Sequence, residues 1–135
     1  MKYKLLVAQT KIKGLKGRGL FAMQNIPKGK KIIEYVGQRI SLKECNRRER
    51  FYNSIGYCSI YWIDKNNIID GLIGGNESLM ANHNRKKPNA EFSDDGNRAW
   101  FTSKKNIKIG EEITIDYGSD FTDKGKDRTI KKTIS

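Results

Sequence analysis

Apolar residues in this chain come in short bursts separated by turn residues, the pattern of many brief strands and little helix. Leu5 and Val7 fall on one side of a weak alternation and predict a strand over residues 3–9. Residues 14–19 read as a tight glycine turn, and Leu20, Phe21 and Ala22 as a second strand. Pro27, Lys28 and Gly29 supply turn chemistry ahead of an apolar strand over residues 32–36. Ser41 opens the best helix: it can cap, Glu44 stands where a capping box needs it, and the stretch to about residue 52 holds neither Gly nor Pro. Residues 57–63 are aromatic and β-branched, Asn66 and Asn67 suit a hairpin turn, and Ile68 and Ile69 continue as a strand. One helical turn fits within residues 76–84. Residues 99–102 and 113–115 read as strands, with a turn at Gly110. After Phe121 the chain is polar and charged. The pattern predicts one mainly β domain over residues 1–119 and a charged tail over 120–135, expected to order on binding and to help close the site.

Composition narrows the partners. With 27 basic and 15 acidic residues the net charge is +12, a field that favours polyanions such as nucleic acid or an acidic protein surface, or that only keeps the chain soluble. Arg47, Arg48 and Arg50 make the predicted helix strongly basic, and a DNA or nucleosome contact is expected there, with a solvated helix face as the alternative. Cys45 and Cys58 have neither zinc-site spacing nor the number for a disulfide framework. No apolar run reaches the length of a membrane span, and residues 1–10 lack the features of a signal peptide, so an intracellular setting and no membrane partner are expected.

Three fragments could carry chemistry. In Lys16-Gly17-Arg18-Gly19 two glycines let the backbone approach a ligand closely, though a plain hairpin turn would read the same. Asn82-His83 contains the only histidine, which cannot form a histidine metal cluster and has no recognisable nucleophile partner; by itself it reads as structural. Tyr117, in Asp116-Tyr117-Gly118 after a strand, is either a core tyrosine or a site residue.

In order, Lys16-Gly17-Arg18-Gly19-Leu20-Phe21-Ala22, Glu34-Tyr35-Val36-Gly37, Gly75-Asn76, Asn82-His83, Pro88-Asn89 and Asp116-Tyr117-Gly118 resemble the core of the SET-domain protein lysine methyltransferases, roughly over residues 5–119. The chain is similar to the compact viral or bacterial type, without a zinc-binding segment after Asp-Tyr-Gly. The resemblance implies small curved antiparallel sheets, short helices and a C-terminal pseudoknot passing the Asn-His loop. It implies S-adenosylmethionine as cofactor, held by the backbone of Gly17, Arg18 and Gly19, by Lys16 near its carboxylate, by the Asn82 side chain and by the His83 backbone. It implies Tyr117 as the catalytic residue at the end of a lysine channel, with no metal. Tyr57, Ser59 and Tyr61, read as sharing one strand face, are the candidates for a channel tyrosine position; Ile115 and Phe121 are further channel residues.

The chain departs from the family at Leu79, where an arginine is usual, and at Asn84-Arg85 in place of Ser-Cys, with one residue inserted before Pro88. Three readings follow: an active lysine methyltransferase acting on a histone or other basic protein, a SET-like binding module without turnover, and a basic nucleic-acid-binding β domain. The setting implied is the nucleus or chromatin for a eukaryotic or viral chain and the cytoplasm for a bacterial one. A homodimer is compatible with each.

Overall fold

The computed structural model describes residues 2–117 and 130–131. The expected contact of Phe121 with the site falls outside these residues, as does nearly all of the 120–135 tail.

The main sheet runs in the order β1 (Leu5–Gln9), β2 (Arg18–Ala22), β10 (Glu112–Ile115), β8 (Ala90–Asp94), β9 (Ala99–Ser103), β3 (Lys31–Tyr35), with the two-residue β7 (Asn82–His83) also on β10. A second sheet runs β11 (Ile130–Lys131), β5 (Ile60–Asp64), β6 (Asn67–Asp70), β4 (Gln38–Ile40). Pairings are antiparallel except those of β10 with β7 and β8 and of β11 with β5. The sheets are thus largely antiparallel, as expected, and the parallel pairings of β10 arise where the chain returns to the Asn82-His83 segment in the same direction. A single α-helix, α1 (Leu42–Ser54), and a 3₁₀ turn over Glu77–Met80 complete the described elements. Among the described residues no helix is long and apolar enough to cross a membrane.

The apolar run in residues 57–63 and at Ile68-Ile69 does not alternate because the second sheet is buried on both faces. Tyr61, Ile63 and Ile69 point into the main core with Leu20, Tyr35, Phe101 and Ile113. Ile60 and Ile68 point the other way, against Cys45 and Tyr52 of α1. Each fully enclosed isoleucine contributes on the order of 2 kcal/mol. Ser41 caps α1 as expected, accepting from the Glu44 amide at 3.1 Å. The reciprocal half of the capping box is absent, since the Glu44 carboxylate turns to Arg47 and Arg48 instead.

One polar node clamps α1 to the second sheet. Asp70 is fully buried, and its carboxylate accepts from Arg48 Nη1 at 2.9 Å, Tyr52 Oη at 2.7 Å, Ser59 Oγ at 2.8 Å and the Leu72 amide at 3.0 Å. Burial, with the Asp70 carboxylate adding to it, pushes the Tyr52 phenol up to about 12, so it remains a donor. Arg48 therefore differs from what its basic neighbours suggested. Its side chain is only 17% exposed and divides between Glu44 and Asp70, so it is a structural partner and not a contact for DNA phosphates. Arg47 is paired as well, with Glu44.

Removing one partner of a buried ion pair leaves the other charge stranded. Arg48→Ala is expected to destabilise the fold by about 3 kcal/mol, whereas Arg47→Ala, which breaks only an exposed pair, should leave stability nearly unchanged. Urea unfolding of both variants checks this; equal midpoints would show that Asp70 does not depend on Arg48.

Candidate functional site

The site is assembled where β10 crosses the segment that follows the 3₁₀ turn. Thr114 and Ile115 pair in parallel with Asn82 and His83, and the Asn84 amide donates to the Ile115 carbonyl at 2.8 Å. Asn89 extends this ladder with a side chain. Its amide group donates to the Glu112 carbonyl at 2.8 Å and its oxygen accepts from the Thr114 amide at 2.9 Å. The Pro-Asn fragment thus works as a strand surrogate that holds β10 at the crossing.

Glu112, at the head of β10, was not among the sequence candidates. Its carboxylate accepts from the Thr10 hydroxyl at 2.7 and 2.9 Å, from the Lys11 amide at 2.8 Å and from Asn82 Nδ2 at 2.9 Å. Asn82 Nδ2 also donates to the Arg18 carbonyl at 2.9 Å. Both partners of that nitrogen are acceptors only, which fixes the orientation of the amide. Its carbonyl oxygen has no protein partner among the described residues and is available to a donor such as an ammonium group. Gly19 is required here: a Cβ at this position would run into the Glu112 carboxylate and crowd Asn82. Gly17, at φ 116°, takes a conformation that side-chain-bearing residues avoid, and its carbonyl accepts from Thr10 to close the loop at 2.9 Å. Lys16, Gly17 and Arg18 are exposed. Backbone curvature, an oriented acceptor and exposed cations meet at one point, a cradle suited to a ligand that carries both ammonium and carboxylate groups.

His83 and Tyr117 stand beside it. His83 Nδ1 accepts from the Tyr117 amide at 2.9 Å, so the ring is neutral at that nitrogen and its proton lies on Nε2. The Tyr117 hydroxyl donates to the Ala81 carbonyl at 2.6 Å. Burial first, then the neighbouring Cys58 and Tyr57, push the Tyr117 phenol well above its ordinary range. It is a phenol at every physiological pH, with oxygen lone pairs left to accept a hydrogen bond.

The residues proposed for a channel separate. β5 begins only at Ile60, so Tyr57, Ser59 and Tyr61 do not share a strand face as expected. Tyr57 packs on the α1 side, edge-on to Tyr52 at 5.5 Å between ring centroids, and helps raise the Tyr117 phenol electrostatically. The Ser59 hydroxyl is committed to Asp70, and its carbonyl accepts from Tyr35 at 2.6 Å. Tyr61 stacks on Phe92 at 4.2 Å and donates to Asp94 at 3.2 Å. Ile115 is enclosed in the main core at 1% exposure. Cys58, not among the candidates, packs on the main core beside Tyr117.

Residues 17–118 match the SET domain family. The chain is 38% identical over 105 residues to the histone-lysine N-methyltransferase set1 of Dictyostelium discoideum, covering 73% of this chain and 7% of that protein. A structure of the Chaetomium thermophilum Polycomb Repressive Complex 2 in complex with H3K27me3 and H3K27M superposes with a TM-score of 0.82 at 28% identity, over 97% of this chain and 17% of that one. The same complex in an autoinhibited conformation bound to S-adenosylmethionine gives 0.75 at 30% identity, over 91% of this chain and 16% of that one. The chain thus spans a small share of the proteins it matches.

Glu112→Gln places an amide N–H₂ where three donors now converge. It should lower affinity for S-adenosylmethionine about tenfold, the worth of one charge-assisted hydrogen bond. The effect should be non-additive with Asn82→Ala, because one acts through the other. Calorimetric titration of both single variants and the double variant decides; simple additivity would mean that Glu112 does not position Asn82.

Proposed function

The chain belongs to the SET-domain family, and from that premise we propose that it transfers a methyl group from S-adenosylmethionine to the ε-amine of a protein lysine, with a histone tail as the substrate class. The observation that carries the reading is the arrangement of Tyr117. Its amide is held by His83, its hydroxyl by Ala81, and both lie within the segment whose Asn82 faces the glycine cradle.

S-adenosylmethionine supplies, when bound, an electrophilic methyl carbon on a positively charged sulfur. The Asn82 oxygen suits its ammonium group, Lys16 its carboxylate, and the backbone of Gly17, Arg18 and Gly19 together with that of His83 the remainder. The rest of the task falls to orientation. An incoming amine can donate an N–H to the Tyr117 oxygen, whose own proton is committed to Ala81, and this aims the nitrogen lone pair. A phenol held so far from ionisation cannot act as a base. The lysine must arrive neutral, and entry beside the Tyr117 phenol, whose own ionised form burial already disfavours, favours that form by desolvation. No general base is needed beyond water.

Transfer of a labelled methyl group onto recombinant histones, followed by mass spectrometry of the acceptor, tests the proposal; S-adenosylmethionine binding without transfer to any lysine would leave a binding module. Tyr117→Phe should lower kcat about a hundredfold or more, while the Kd for S-adenosylmethionine stays within about twofold. A variant of wild-type activity would remove Tyr117 from the mechanism.

The pH dependence follows from the sign of the Tyr117 shift. Burial raises its pKa, so the required phenol persists through the range in which lysine, near 10.4 in water, loses its proton. The single-turnover rate should climb with pH from 7 to about 9 with no descending limb. A descending limb below pH 9 would mean that a group other than the lysine controls the reaction.

A further inference from the structure

The exposed cations of this chain are not evenly placed. Residues 24–31 and 103–110 form two neighbouring loops that contain Lys28, Lys30, Lys31, Lys104, Lys105 and Lys108 and no acidic residue. All six lysines are exposed. Only Lys31 is otherwise engaged, its ammonium 3.6 Å from the centre of the Trp100 ring. The nearest carboxylate in sequence, Glu111, folds back onto the Lys108 amide at 2.9 Å. This contrasts with α1, where Arg47 and Arg48 are taken up by Glu44 and Asp70.

The two loops are locked to each other. Ile26 and Ile107 exchange backbone hydrogen bonds of 2.7 and 2.8 Å, the Gly29 amide donates to the Ser103 carbonyl at 2.9 Å, and the Ser103 hydroxyl donates to the Pro27 carbonyl at 2.6 Å. The side-chain amides between them are polarised outward. Gln24, Asn25 and Asn106 use their oxygens to accept from the amides of Lys4, Ile109 and Lys28 at 2.8 to 2.9 Å, which leaves N–H₂ groups facing solvent. An open cleft of about 570 Å³ runs beside them, with Gln24, Asn25, Lys30 and Lys31 in its wall. The result is a rigid surface of donors and cations, matched to a partner that offers only acceptors and negative charge.

We infer that this double loop is a docking platform for the phosphate backbone of duplex DNA. DNA is favoured over an acidic protein because six exposed lysines and the outward amide N–H₂ groups of two mutually locked loops match a regular line of phosphates, with Ile109 as the one exposed large apolar side chain within the loops. Position adds a second argument. The loops sit past the Ala22 end of β2, where the Gly110 amide donates to the Ala22 carbonyl, whereas the exposed backbone of Gly17 and Arg18 lies at the other end, about 13 Å away along a five-residue strand. DNA on the platform would leave the site open. This argument rests on the proposed lysine substrate: a protein of charge +12 repels a free basic tail, and DNA carrying that tail offsets the repulsion.

The test measures binding of the full chain to a fluorescent 30-base-pair duplex over a salt series. The platform variant K28A/K104A/K105A/K108A is compared with K43A/R47A/R50A/K65A, which removes as many exposed cations elsewhere. The platform variant should lose at least about thirtyfold in affinity at 0.1 M salt, and the slope of log K against log[salt] should flatten by about 3; the control should change far less. Lysine-to-glutamine versions of the same four positions must reproduce the result. Methyl transfer to a short free peptide should not fall in the platform variant, and DNA binding is read independently of it, so failure of the enzyme assignment would not be mistaken for failure of the platform. Absence of wild-type DNA binding at 0.1 M salt, equal losses in the two variants, or tighter platform-dependent binding to polyglutamate than to DNA would each overturn the inference.

Discussion

The parallel crossing of β10 against the Asn82-His83 segment is the constraint on which the rest of the site depends. β10 is antiparallel to β2 on one side and parallel to β7 and β8 on the other, so one strand of four residues aligns three parts of the chain. At its head Glu112 orients Asn82 toward the glycine cradle. Just past its end the Tyr117 amide meets His83, and the Tyr117 ring turns back to the Ala81 carbonyl. Cofactor cradle and tyrosine are therefore opposite ends of one paired segment, and a shift of β10 by one residue would displace both. Asn89 prevents that shift, since its amide matches one carbonyl and one amide of β10 in a single register.

The second sheet supplies the remaining wall. It can pack on both faces because α1 covers the side away from the core, and α1 stays in place through Arg48 and Tyr52 on buried Asp70. Asp70 also holds the Ser59 hydroxyl, while Tyr35 holds the Ser59 carbonyl. The backbone next to Tyr57 and Cys58 is thereby pinned from two directions. Residues far from the chemistry thus set the position of the aromatic wall that adjoins Tyr117.

Much of this was legible in the sequence where local physics and tertiary packing agree. The Ser41 cap, the turn at Gly110 and the strands through Leu20-Phe21-Ala22 and Ile113–Ile115 follow from residue type and period. β8 was not legible: Ala90–Asp94 is mostly polar and becomes a strand because β9 and β10 lie on either side of it. β4 is a short polar edge that forms against β6. Glu112 carried no local signal, since its partners Thr10 and Lys11 lie about a hundred residues earlier. Arg48 did carry one. It shares a helical stripe with Cys45 and Tyr52, the two buried residues of α1, and that spacing marks it as inward-facing while Arg47 and Arg50 point out. Ser59 was misplaced because strand alternation was extended back to residues that precede β5.

The central claim is that the crossing of β10 and the candidate site form one cooperative unit. Native-state hydrogen exchange at the amides of Asn84, Thr114 and Tyr117, each bonded across the crossing, tests it most directly. The account predicts that all three exchange with the same free energy, close to that of global unfolding measured by denaturant. A Tyr117 amide that exchanges freely while Thr114 stays protected would contradict it, because the tyrosine would then be tethered to the fold and not built into it.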